Sequence, residues 1–266
     1  ERPDADPDTT LYLRGISWEL EGDPGQAIAL YDEGLSRWPT SPLRRDRLFR
    51  KAEALGTLGE YGEALRLVHL PEVWPEDGDD LVKARLVEAV WITRSGRTRK
   101  GLQRIAEALE VAEPGQATFY QAKAHATVAE VYAERAAALT FDTGQRRLTR
   151  RLEARAELLF AIERHVTAIA ELEEPEWVIA GLLSLGGAYE QLGRDLLDSR
   201  RPRRLTEEQL GIFDEELRGR VEVLWVKALR HYDLGLETAG RLLWRSRRID
   251  ELERSFERLS DDIESL

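Results

Sequence analysis

Residues 11–39 read LYLRGISWELEGDPGQAIALYDEGLSRWP. A small residue, Gly15, is followed three positions on by Trp18, and Gly22-Asp23-Pro24 then interrupts the periodicity. Beyond the break come Ala27, an aromatic four on (Tyr31), a small residue three on (Gly34) and a proline five on (Pro39). Small residues let two antiparallel helices approach closely, and the aromatics fill the spaces beside them. A Gly-Asp-Pro stretch ends one helix and starts the next. The segment therefore predicts a helical hairpin. One hairpin cannot bury its own apolar face, so neighbours must stack on it.

The same arrangement returns. In residues 48–71, LFRKAEALGTLGEYGEALRLVHLP, Ala52, Leu55, Gly59, Ala64 and Val68 take the same slots, and Ala27 to Ala64 is a shift of 37 residues. A third copy runs from about Leu81 to Pro114, where GRTRKGLQRIAEAL (residues 96–109) places Gly101 in the small slot after a further 37. The spacing resembles the tetratricopeptide (TPR) repeat, whose helix A carries small–x–x–aromatic, whose helix B carries small–x3–aromatic–x2–small, and which closes on proline. In the first unit only Arg14 departs, standing where the family has leucine. The resemblance implies an all-α, right-handed solenoid, used as a binding surface rather than a catalytic scaffold.

Beyond Pro114 the units lengthen. Val128-Ala129 with Tyr132, and Leu185-Gly186 with Tyr189, carry helix A spacing 57 residues apart; the tetrapeptide RRLT recurs at 146–149 and 203–206 with the same offset. This predicts helices at 117–140 and 146–172, then at 176–198 and 206–240, with a last helix over about 246–259 capping the stack. The expected organisation is a linker tail at 1–9, three units over 10–114, two enlarged units over 115–240, and a capping helix and tail at 241–266. The second enlarged unit resembles the terminal region of large TPR proteins of myxobacteria and related Gram-negative bacteria. Pro175-Glu176-Trp177, Leu185-Gly186, Tyr189-Glu190, Leu205-Thr206-Glu207-Glu208, Lys227-Ala228-Leu229 and Tyr232 carry that likeness. It implies a periplasmic or cell-envelope assembly of the gliding-motility kind; a cytoplasmic regulatory or chaperone-type module, or an accessory domain of a larger enzyme, is the alternative.

Composition narrows the function classes. The chain has 266 residues, 42% hydrophobic and 33% charged, which marks a folded rather than disordered protein. No apolar run reaches the length of a membrane span. With no cysteine there are no disulfides or thiolate metal ligands. Arginine supplies 34 of the 39 basic residues, yet the net charge of −11 argues against nucleic acid as a partner. There is no methionine, and the opening ERPDADPD reads as the end of a linker, a processed signal segment or a cut from a longer chain.

No chemistry-bearing constellation stands out. His69, His125, His165 and His231 each lie alone on their helices without ligand spacing, and no phosphate-binding glycine loop or nucleophile elbow is present. The expectation is a protein without catalytic, cofactor or metal site. Trp74, in the proline-bracketed loop PEVWPEDG at 71–78, reads as a staple or as a ligand-stacking ring.

Two recognition surfaces are expected instead. By slot within the resembled family, the inner face carries Tyr12, Ile16, Glu19 and Leu20 in the first unit. The second gives Phe49, Glu53, Gly56 and Thr57, and the third Leu86, Val90, Thr93 and Arg94. Aromatic and aliphatic groups with a few charges suit a peptide or helix of another protein laid in a groove; packing against neighbouring repeats is the other reading of Ile16, Leu20 and Val90. The second surface is basic. Arg146, Arg147, Arg150 and Arg151 flank one turn, and Arg200, Arg201, Arg203 and Arg204 flank its equivalent. Stacked repeats would set these turns on one edge, for an acidic surface or anionic headgroup; solvated turns are the other reading.

Overall fold

A computed structural model describes residues 6–141, 145–201 and 205–266, although the side chains of 145 and 146 are not described. Eleven α-helices, and no strand, occur among them. The chain divides into two compact units, residues 1–120 and 121–266. The fold is all-α, built from antiparallel helical hairpins.

In the first unit, α1 (Pro7–Leu20) pairs with α2 (Pro24–Arg37), α3 (Arg44–Thr57) with α4 (Tyr61–Val68), and α5 (Gly78–Arg94) with α6 (Thr98–Glu110). The 37-residue period is visible in the backbone itself. Gly22, Gly59 and Gly96 have φ of +82°, +83° and +86°, the left-handed conformation that lets each hairpin reverse. At the first turn Asp23 accepts the Gln26 amide and Pro24 opens α2, so the breaker also starts the next helix. The small slots lie where packing requires them. A Cβ on Gly15 would collide with the Tyr31 ring, and one on Gly101 would collide with Thr93. Ala27 and Ala64 are fully buried.

Four expectations need correction. The stretch read as a tail at 1–9 already contains the start of α1. Asp6 caps it by accepting the amides of Asp8 and Thr9, and Pro7 is its first residue. Asp8 is buried against Arg47, whose Nη2 also donates to the Asp8 carbonyl at 2.7 Å. Trp18 and Tyr132, at the helix A spacing whose aromatics should fill the space between paired helices, are only half-buried. Tyr132 stands beside His165 and the Arg135 guanidinium. In the 71–77 loop Val73 is the buried anchor, while Trp74 lies half-exposed against His69.

The second unit takes in most of α7 (Thr118–Ala137), with α8 (Gln145–Glu171), α9 (Pro175–Leu197), α10 (Glu207–Leu242) and α11 (Arg247–Glu264). The small-against-aromatic device recurs: Cβ atoms on Gly186 and Gly193 would collide with Tyr232 and Trp225 of α10. Thr206 and Gln209 form a reciprocal capping box at the start of α10. Helix α11 is amphipathic, and it buries Leu252, Ser255 and Leu259 against the end of the stack.

Candidate functional site

The groove of the first unit is built mainly by α1 and α3. Tyr12, Ile16 and Glu19 on α1 and Phe49 and Glu53 on α3 are half-buried, and Leu20 is 85% exposed. Glu19 accepts the Tyr31 hydroxyl and Arg50 Nη1, the latter at 3.0 Å, while Glu53 accepts the Tyr120 hydroxyl at 2.8 Å. Burial first, then the neighbouring carboxylates, push both phenols well above the usual tyrosine range, so they stay protonated donors. Lys83 of α5 sets its ammonium 4.1 Å from the centre of the Phe49 ring and 5.0 Å from that of Tyr120. A cavity of about 140 Å³ opens there, lined by Tyr12, Phe49, Arg50 and Lys83 together with Arg45 and Asp80. Position 83 was absent from the slot-based reading, because it lies one turn before the helix A positions that the repeat usually presents.

On α5 the expectation fails. Leu86 and Val90 are buried, as is Thr93, and none of the three offers an open surface. The reason is in the composition of that helix. From Leu86 to Thr93 every residue but Glu88 is buried, so this half of the helix is enclosed on nearly all sides. Gly56 is likewise a close-packing position, its Cβ direction filled by Trp91. Thr57 and Arg94 are exposed.

The arginine turns are partly engaged. Arg151 donates to the Thr140 carbonyl, and Arg201 to those of Leu197 and Ser199 at 3.0 and 3.1 Å. Arg201 therefore serves the carbonyl end of α9, where a cation suits the helix dipole, while Arg151 holds the loop after α7. Arg201 also pairs with Asp214. Arg147, Arg150 and Arg200 are exposed. Arg203 and Arg204, and the side chain of Arg146, lie outside the described residues.

Sequence reading missed three polar clusters, whose long-range partners are 40 to 68 residues apart. Glu190 accepts the Tyr232 hydroxyl at 2.8 Å and Arg258 Nη2 at 2.9 and 3.1 Å, and pairs with Arg194; Arg194 in turn reaches Asp262. This network ties α9 to α10 and α11. Arg155, fully buried, pairs with Asp195 and lies over Phe141, leaving its Nε and Nη2 without partners among the described residues. His125 and His165 meet through their Nδ1 atoms at 2.8 Å, so one ring donates and the other accepts.

That histidine contact has a pH consequence. Burial, then His125, pushes His165 down to about 4, and burial lowers His125 as well. The unfolded chain, with ordinary histidine values near 6.5, binds these protons more readily. The stabilisation is therefore complete above about pH 6.5 and is lost as pH falls toward about 4. Thermal melts at pH 7 and pH 5 should show a larger acid-induced drop in Tm for the parent than for His165→Gln. Equal drops would disprove the contribution of the pair.

No family model matches the chain, and no curated protein matches it. Among solved structures, the crystal structure of a TPR repeats protein from Bacteroides fragilis aligns over 96% of this chain and 99% of its own, with a TM-score of 0.40 and 13% identity. Among the described residues no helix is long and apolar enough to cross a membrane.

Proposed function

We propose that this chain is a non-enzymatic interaction scaffold that holds a segment of another polypeptide along the α1–α3 face of its first unit. The observation that carries this reading is the half-open row of Tyr12, Ile16, Leu20 and Phe49, bounded by the Glu19–Arg50 and Glu53–Tyr120 pairs. Apolar rings flanked by fixed charges suit a peptide whose side chains alternate between anchoring and solvent. The two rings are the anchors, and truncating a central aromatic typically costs about 2 kcal/mol or more of binding energy. The likeness of residues 175–232 to envelope-associated TPR proteins supports placing the scaffold in a bacterial cell-envelope assembly.

A Tyr12→Ala/Phe49→Ala double variant tests the groove. It should keep the helical signal of the parent and lose at least tenfold in affinity for polypeptides that the parent retains. Equal recovery by parent and variant would remove the groove from the account. Fractionation of the source cell, with the scaffold recovered outside the envelope fractions, would contradict the placement.

A further inference from the structure

A trough of about 950 Å³ lies in the second unit, where α8 and α10 flank α9. Its floor is apolar. Val166 of α8 and Leu182 and Leu185 of α9 are buried, and Val178 is half-buried. Leu234 and Leu242 of α10 form one wall, and they are 49% and 46% exposed. An open apolar surface with a few polar groups at its ends has the make-up of a ligand pocket.

Those polar groups are unevenly placed. At one end Glu163 of α8 accepts the Tyr189 hydroxyl at 2.5 Å, and the Tyr189 ring stacks on His231 of α10 with the planes 16° apart. Glu163 and His231 both line the trough. The second Glu163 oxygen and the His231 ring nitrogens have no hydrogen-bond partner among the described residues. Burial lowers His231 from the usual histidine value, so at neutral pH the ring is uncharged and one nitrogen can accept. Lys227 lies over the Tyr189 ring at 5.4 Å but does not line the trough. At the other end Glu173 and Arg241 carry opposite charges. The unbalanced charge facing the trough is thus the Glu163 carboxylate.

We infer that this trough binds an amphiphilic amine, its apolar tail on the Val166, Leu182 and Leu185 floor and its ammonium at Glu163 and His231. The ammonium supplies the donors that these two acceptors lack. Val178 to Leu185 covers about 10 Å of α9, and His231 to Leu242 about 16 Å of α10, at the helical rise of ~1.5 Å per residue. The volume falls within the roughly 300–1,000 Å³ of small-molecule pockets. A stable protein interface takes about 20–30 residues a side, whereas 14 line this trough. The inference is independent of the first-unit groove, because none of its residues lies there.

The test uses the intact chain and straight-chain probes of about ten carbons, a little over 10 Å long at bond lengths near 1.5 Å. The probes are decylamine, decanol and decanoate. Titration calorimetry at neutral pH should show decylamine binding at least tenfold tighter than decanol, with decanoate weakest. Octylamine should bind at least fivefold more weakly than decylamine, because it buries fewer methylenes. Glu163→Gln keeps an acceptor for Tyr189; it should weaken decylamine at least tenfold and leave decanol unchanged. Ala170→Trp fills the trough from an exposed position on α8 and should weaken both at least tenfold with Tm unchanged. No decylamine binding, equal binding of amine and carboxylate, or unaltered decylamine affinity in Ala170→Trp would overturn the inference. Tyr12→Ala/Phe49→Ala should bind decylamine as the parent does, which separates this site from the first.

Discussion

Gly101→Leu is expected to open the third hairpin and lower the stability of the first unit by about 3 kcal/mol, at the upper end of overpacking costs. A Cβ at position 101 would lie 2.5 Å from the backbone nitrogen of Thr93 and 2.6 Å from its Cα. Backbone cannot rotate out of the way, so α5 and α6 must move apart, and both carry buried residues. Gly15→Leu should cost less, because the obstacle there is the ring of Tyr31, which has rotamers to use. Urea unfolding of the two variants beside the parent measures the difference. A Gly101→Leu protein as stable as the parent would mean that α5 and α6 do not cross at this point.

The second large effect is expected at Glu190. Glu190→Ala removes the acceptor for the buried Tyr232 hydroxyl and the partner of Arg258 and Arg194. Breaking a buried pair from one side costs about 3–5 kcal/mol. Arg258 is 52% exposed and regains water, which places the expected loss near 3 kcal/mol, at the lower end. Glu190→Gln keeps an acceptor for Tyr232 and should lose less. The loss should fall chiefly on α11, which Glu190 binds through Arg258 and which Arg194 holds through Asp262. Limited proteolysis should therefore cut first around Leu243, an 89% exposed residue with φ of +51° between α10 and α11. Unchanged cleavage there, with stability intact, would show that other contacts hold the cap.

Local spacing explains what was legible. Gly22, Gly59 and Gly96 repeat because one backbone conformation recurs, and that recurrence is written directly into a linear pattern. The same holds for Ala27 and Ala64, and for Gly186 beneath Tyr232. At the N-terminal end two signals competed. Acidic, proline-rich composition suggested a tail, yet Asp6-Pro7 is also a helix start signal, and that signal prevailed because Asp8 finds Arg47 across the fold. On α5 the slot rule located Leu86 and Val90 on the inner face, but slots carry no information on whether that face is covered; the nearly unbroken apolar run Leu86–Ile92, interrupted only by Glu88, did. The polar clusters were illegible for a different reason. Glu190 with Arg258, and His125 with His165, are joined by tertiary packing across dozens of residues, and no local period encodes such a meeting.

The central claim, that the α1–α3 face holds a polypeptide, is tested most directly by site-specific photocrosslinking. A photoreactive residue placed at position 12 or 49 should yield the same discrete polypeptide adduct in the source cell. The same probe at Val111, exposed elsewhere in the first unit, should yield none. Adducts of equal yield from all three positions, or no polypeptide adduct from 12 and 49 with the fold intact, would contradict the account.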